Sequence, residues 1–147
     1  MTASALEAYL HAHIPITRAM GVRAISAGAD RVELAAPLEP NINVHGTAFG
    51  GSGATLALLA AWSVLHLRLE AEAIANRVVI QRSTTDYLLP VGGDFTAVAS
   101  LDGQDIGPFL EMLRRRGRAR LAVSADLMLE GKLAGRLTGD FVALSEH

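Results

Sequence analysis

The chain has 147 residues and a formal charge of −2, which fits one ordinary domain and excludes a general basic field for nucleic acid. It has no cysteine, which excludes disulfides, thiolate nucleophiles and cysteine-ligated metals. No basic segment followed by an apolar run marks a signal peptide, and the apolar run from Gly53 to Leu65 is shorter than the ~20 residues of a membrane span. We therefore expect a single domain over residues 1–147, located in the cytoplasm and not in a membrane.

The first quarter of the chain predicts a short helix and a pair of strands. From Ser4 to about His13 the apolar residues have helical spacing, and Ser4 with Glu7 has the spacing of a capping box. Pro15 should end this helix. Residues 20–25 predict a modest strand. Residues 31–36 alternate between apolar and charged side chains, which predicts a half-buried strand after a turn at 28–30.

A glycine-rich loop and a long uncharged segment occupy the middle of the chain. The segment from Gly53 to Leu69 is apolar on every side, which predicts a buried helix, and helical character extends to about Ala75. The first N–H groups of a helix lack intrahelical partners. Here those groups belong to residues 50–52, where little side chain blocks approach. We expect this end to receive an anion or a polarised carbonyl.

The second half of the chain predicts four strands, at residues 77–87, 95–101, 118–130 and 133–144. Short turns join them, so we expect mostly antiparallel pairing. Residues 105–117 allow either a helical turn or a hairpin excursion. A sheet with one apolar face must cover that face, and only the central helix is apolar enough to do so. The predicted fold class is α+β, with an antiparallel sheet wrapped around a long central helix.

Two motifs resemble the hotdog-fold thioesterases. Residues 43–51, followed by Thr55 and Leu56, resemble the phenylacetyl-CoA type, in which an Asn is followed six residues later by a His-Gly-Gly that opens the central helix. Phe49 replaces that His here. Residues 85–90, followed by Gly93 and Asp94, resemble the third strand and turn of the superfamily. The run 49–52 with Trp62 is closer to the thioesterases of the YiiD C-terminal type.

This resemblance implies the hotdog fold, an acyl-CoA or acyl-carrier-protein thioester as substrate, and a homo-oligomer with sites between subunits. The assembly would be a dimer or a dimer of dimers. Many relatives carry a catalytic Asp or Glu about two turns after the Gly-Gly, where this chain has Leu58. The helix has no carboxylate before Glu70. Hydrolysis and non-catalytic binding of an acyl thioester both stay open, as does a module that docks beside a separate acetyltransferase.

The candidate catalytic residues are Asn43, His45, Gly51 and Asp86. The Gly51 amide, with that of Gly50, would stabilise charge on the carbonyl oxygen, although the glycines would also suit a tight turn. Asn43 would position a water or the thioester, or cap its own loop. His45 is a general base or a structural loop residue. Asp86 is the nearest carboxylate by motif, either a base from a second subunit or a structural hydrogen-bonding group.

The candidate substrate-binding residues share the helix start, the third strand and an arginine cluster: Phe49, Gly50, Ser52, Thr55, Ser83, Thr85 and Arg115. Ser52 lacks a nucleophile elbow, so helix capping is its alternative role, and core packing is the alternative for Thr55. Ser83 and Thr85 would line the acyl pocket from the strand.

Arg115 belongs to the only basic cluster, which spans residues 114–120. Clustered arginines suit the phosphates of CoA or an acidic carrier protein, and a solvated surface is the alternative. No His, Asp or Glu spacing matches a metal site, and the glycine loop lacks the end of a P-loop. We therefore expect no metal and no cofactor, apart from the coenzyme A that the substrate carries.

Overall fold

The computed structural model describes residues 1–146. Four helices and six strands follow one another along the chain: α1 (Ala3–His13), α2 (Ile16–Met20), β1 (Arg23–Ala27), β2 (Arg31–Ala36), α3 (Gly50–Ala71), β3 (Asn76–Tyr87), β4 (Phe95–Ser100), α4 (Gly107–Arg116), β5 (Arg118–Leu129) and β6 (Lys132–Ser145). The strands form one sheet in the order β1-β2-β4-β5-β6-β3, and every pair is antiparallel.

Helix α3 lies in the concavity of this sheet and forms the core with it. Twelve of its 22 residues are buried, and they surround the helix rather than forming one stripe. Alternate residues of β5, from Ala119 to Leu127, point inward and are also buried. The predicted α+β fold, a sheet around a long central helix, is confirmed. By length and composition α3 would also suit a membrane, but most of it is buried in this core.

The N-terminal segment corrects two expectations. Thr2, not Ser4, caps α1, because its hydroxyl accepts a hydrogen bond from the Ala5 N–H at 3.1 Å. The Glu7 carboxylate instead accepts from the Ala24 N–H at 2.9 Å and ties α1 to β1. The strand predicted at residues 20–25 begins only at Arg23, since residues 16–20 form α2. Five residues are too few to show a helical period.

The four strands predicted in the second half of the chain are confirmed to within two residues. Their order in the sheet differs from their order along the chain. β3 pairs with β6 instead of β4, so it forms an edge of the sheet. The uncertain segment is a helix, α4, which buries Phe109, Leu110 and Leu113. Helix α3 ends at Ala71 rather than near Ala75, because Ala73 adopts a positive φ of 57°.

Candidate active site

The start of α3 presents two backbone donors without partners. Phe49 is the N-cap residue, and no side chain caps this helix. The N–H groups of Ser52 and Gly53 both donate to the Phe49 carbonyl, at 2.9 and 3.2 Å. Within residues 1–146, the N–H groups of Gly50 and Gly51 donate to no acceptor. This end of the helix therefore carries a partial positive charge and two free donors.

Two cavities flank the helix start, and the Phe49 side chain lines both. The inner cavity, of about 220 Å³, lies between α3 and the end of β3 and includes Gly50, Gly53 and Leu127 in its wall. The outer cavity, of about 350 Å³, lies between α2 and α3 and includes Gly51. Each free donor thus belongs to a residue that lines one of the two cavities. Phe49, whose ring is 59% exposed, stands between them.

Glycine at position 51 makes room for the observed position of the Phe49 ring. A Cβ atom at Gly51 would collide with the Phe49 ring. At Gly50 a Cβ would meet only the Tyr87 hydroxyl, at 3.4 Å, which is ordinary van der Waals contact. Gly51 therefore allows the aromatic ring to lie against the first turn of the helix, while position 50 has room for a side chain.

Asn43 organises the loop that leads into α3. Its Oδ1 accepts hydrogen bonds from the N–H groups of His45 at 2.8 Å and Thr47 at 3.2 Å. Its Nδ2 donates to the Thr47 hydroxyl at 2.9 Å and to the Ala48 carbonyl at 3.4 Å. These are the loop-capping contacts that formed the alternative to a catalytic role. A direct role for Asn43 on the substrate stays a prediction.

His45 lies at the tip of the same loop and is exposed. The loop beyond it is anchored by the Ala48 N–H, which donates to the Val91 carbonyl, and by the Phe49 N–H, which donates to the Asn41 carbonyl, both at 2.7 Å. Asn41 is itself buried, and its side chain donates to the Met20 and Pro37 carbonyls. His45 lines neither the inner nor the outer cavity, and its catalytic role is still a prediction.

Tyr87 joins the end of β3 to the start of α3. Its hydroxyl donates to the Gly50 carbonyl at 2.8 Å, and the residue also lines the inner cavity. The sequence motif at residues 85–90 contained Tyr87, but sequence reasoning did not select it as a site residue. Leu127 was missed as well, because an apolar residue in an alternating strand indicates core packing and nothing more.

The predicted strand residues divide between the two faces of β3. Ser83 and Thr85 lie opposite Gly139 and Leu137 of β6. Those two residues in turn lie opposite Val123 and Ala125 of β5, which are buried against the core. Ser83 and Thr85 therefore face the α3 side of the sheet. Asp86 points to the opposite face, where it lies in register with Arg136. Within one chain, the structure does not bring Asp86 to the Gly50 end. Neither Ser83 nor Thr85 lines the inner or the outer cavity.

The remaining predicted residues lie at the two ends of the helix. Ser52 and Thr55 line the outer cavity, one turn apart on α3. Arg115 lies in the last turn of α4, whose neighbour Arg114 bonds Glu72 beyond the C-terminal end of α3. A 22-residue helix is about 33 Å long, so Arg115 is far from Gly50 of its own chain. In the part of the chain that the structure describes, no three acidic or histidine side chains could hold a metal ion.

The long buried helix, the enclosing antiparallel sheet and the free donors at the helix start define a protein of the hotdog-fold thioesterase type. The comparisons agree. Residues 3–145 match the family model described as "Putative thioesterase (yiiD_Cterm)", and the chain belongs to this family.

Solved structures with the same fold cover nearly the whole chain. A protein of unknown function from Chlorobaculum tepidum is 30% identical, with a TM-score of 0.90 over 98% of this chain and 94% of that one. A "putative thioesterase" from Shewanella oneidensis is 26% identical, with a TM-score of 0.86 over 97% and 96%. Thioesterase HI1161 of Haemophilus influenzae, at 20% identity and a TM-score of 0.79 over 100% and 94%, shares the fold.

Proposed function

We propose that the protein hydrolyses acyl thioesters of coenzyme A at the N-terminus of α3. The observation that carries this proposal is the pair of free N–H groups at Gly50 and Gly51, at the start of a long buried helix and beside two cavities. Donors of this kind stabilise an oxygen that becomes negative in the transition state. A cytoplasmic location belongs to the same proposal, and cell fractionation tests it.

The reaction places the thioester carbonyl oxygen against these donors. Water adds its oxygen to the carbonyl carbon, the carbon–sulfur bond breaks, and the departing sulfur takes up the proton that the water loses. The products are a carboxylic acid and a free thiol. Between Gly50 and Leu69, α3 carries no carboxylate, so the base that assists the water lies elsewhere. His45 and Asp86 are the candidate bases.

A second copy of the chain is part of the proposal. Among residues 1–146, β3 is an edge strand that pairs only with β6, and Val79 and Ile80 on it are 44% and 37% exposed. Unpaired edges with apolar side chains favour pairing with another chain. Asp86 and Arg115 of that second copy would then act at the site of the first. Light scattering should give at least a dimer mass, and a charged Val79→Lys variant should shift the mass toward the monomer.

Non-catalytic binding of an acyl thioester is the second candidate function. Leu58 occupies the helix position where many relatives carry the catalytic carboxylate, and the first acidic residue of α3 is Glu70, near its far end. A protein with the oxygen-binding donors but no base would hold a thioester without cleaving it.

A panel of acyl-CoAs separates the two functions. Free thiol is measured after mixing each acyl-CoA with the protein, and binding is measured in parallel by calorimetry. Catalytic release of thiol supports hydrolysis. Binding without release supports the binding protein and contradicts the proposed hydrolysis. Acyl-carrier-protein thioesters, tested in the same assay, decide which carrier is preferred.

A further inference from the structure

Leu127 lines the inner cavity, together with Gly50 and Gly53. The residue is 3% exposed and points inward from β5. A Cβ atom at Gly53 would lie 3.0 Å from its Cδ2, and one at Gly135 would lie 3.6 Å from the same atom. Leu127 therefore fills a space that two glycines leave open, one on α3 and one on β6.

Three of the residues that face Leu127 are small. In the sheet its direct partners are Ala97 on β4 and Gly135 on β6, and across the core it meets Gly53. Glycine and alanine have no flexible side chain that could move into a vacated space. Removal of the leucine side chain should thus leave a hole that stays open and joins the inner cavity.

The inner cavity is also the more suitable of the two for an acyl chain. Its wall contains no charged side chain, and Tyr87 supplies the only polar side chain in it. The outer cavity is mixed: beside apolar side chains of α2 and Phe49 it contains the polar side chains of Asn41, Ser52 and Thr55. A volume of about 220 Å³, at roughly 30 Å³ for each water-sized group, holds about seven non-hydrogen atoms.

We propose that Leu127 closes the acyl-binding cavity and restricts the substrate to thioesters of short acyl chains, of about six carbons or fewer. This inference rests on the proposed function, because it assumes that a thioester binds at Gly50. It goes further in naming the substrate class and the residue that sets it.

The test measures chain-length preference by binding and by turnover separately. Thioether analogues of CoA with butyl, hexyl, octyl and decyl chains, which cannot be hydrolysed, are titrated calorimetrically. Acyl-CoAs of the same lengths are assayed for thiol release. The wild-type protein should bind the hexyl analogue more tightly than the butyl analogue, by about fourfold for each added methylene, and should gain no further affinity from hexyl to decyl because the additional methylenes find no space.

Leu127→Ala should raise the octyl-to-butyl binding ratio by about tenfold or more, because the hole accommodates two or three additional methylenes. Gly53→Ala narrows the cavity from the opposite wall and should lower the same ratio. Leu121→Ala is the matched control: it removes the same atoms from the inner face of the same strand, outside the inner cavity, and should leave the ratio unchanged. Should Leu127→Ala fail to fold, Leu127→Val and Gly53→Ala carry the test with smaller shifts of opposite sign.

The outcomes distinguish the inference from the function on which it rests. An unchanged ratio in the Leu127 variants, or an equal shift in Leu121→Ala, overturns the inference even when thiol is released. A shifted binding ratio without any thiol release supports the inference and overturns hydrolysis. Absence of binding by every analogue overturns the inference.

Discussion

The two ends of α3 differ in whether their polar groups have partners. At the N-terminus, Gly50 and Gly51 leave their donors free beside two cavities. At the C-terminus, Arg68 in the last turn of α3 contacts Asp30 at 2.8 Å and Glu72 at 3.1 Å, and Arg114 contacts Glu72 at 3.0 Å. This ion-pair cluster joins α3 to the turn before β2 and to α4.

The difference shows which end serves stability and which end serves the ligand. A single exposed or half-exposed ion pair contributes little to stability, but together the pairs hold one end of the helix in place. Free donors at the other end contribute nothing to folding and would be satisfied by a simple Ser or Asp cap. A fixed helix with an open N-terminus is therefore suited to present donors in a constant position.

The largest expected effect comes from removing one free donor. Gly50→Pro eliminates the N–H at the first helical position, where proline is well tolerated, and the extended backbone of Phe49 (ψ 132°) suits the residue before a proline. We expect kcat for thioester hydrolysis to fall by about 10²–10³-fold with the fold intact by circular dichroism. Gly50→Ala keeps the N–H and is the control. Equal activity in both variants would contradict a role for this donor.

A smaller loss is expected from the loop before the helix. Asn43→Ala removes four hydrogen bonds that hold residues 45–48, so the approach of the chain to Phe49 and Gly50 becomes less constrained. We expect about a tenfold lower kcat/KM, measured by thiol release, and a modest loss of thermal stability. Val44→Ala, at a 94% exposed position in the same loop, is the control. Unchanged turnover in Asn43→Ala would remove Asn43 from the site.

Tyr87→Phe tests the contact between β3 and the helix start. The variant loses the 2.8 Å hydrogen bond to the Gly50 carbonyl but keeps the aromatic wall of the inner cavity. Because one partly exposed neutral hydrogen bond is worth about 1 kcal/mol or less, we expect a decrease in kcat/KM of only about threefold. A decrease as large as that of Gly50→Pro would indicate that the hydroxyl contacts the substrate itself.

The smallest effect on activity is expected at the ion-paired end. Hydrogen bonds from Arg68, and then from Arg114, lower the pKa of Glu72 below its ordinary value of 4.5. A lowered folded-state pKa adds stability that is present above the unfolded-state pKa and is lost as the pH falls through the folded value. Glu72→Gln should therefore flatten the decline of Tm as the pH falls below about 4.5, while kcat at neutral pH stays unchanged.

Glu111→Gln is the control for this experiment, since Glu111 is exposed on α4 and forms no ion pair among residues 1–146. A lower kcat in Glu72→Gln would mean that the two ends of α3 are coupled, contrary to the comparison.

Much of the fold followed from local patterns. The alternation of apolar residues in β2 and β5 and the uncharged run of α3 were enough to predict which side chains are buried. The free donors at the start of α3 could also be predicted, because its glycine-rich first turn offers no capping side chain. Helix α2 and the cap at Thr2 escaped prediction because a five-residue helix has no period, and because Ser4 and Thr2 are chemically equivalent caps.

What the sequence alone determined about this protein is the set of elements, the buried helix and the position of its open end, since these depend on residues close together in the chain. Only the tertiary structure decided that β3 lies beside β6, that Asp86 faces away from Gly50, and that Arg115 lies at the far end of the helix. It alone also brought Tyr87 and Leu127 to the cavity. Such contacts join residues 37 to 74 positions apart, and no local pattern of hydrophobicity or spacing encodes which distant strand an element will pair with.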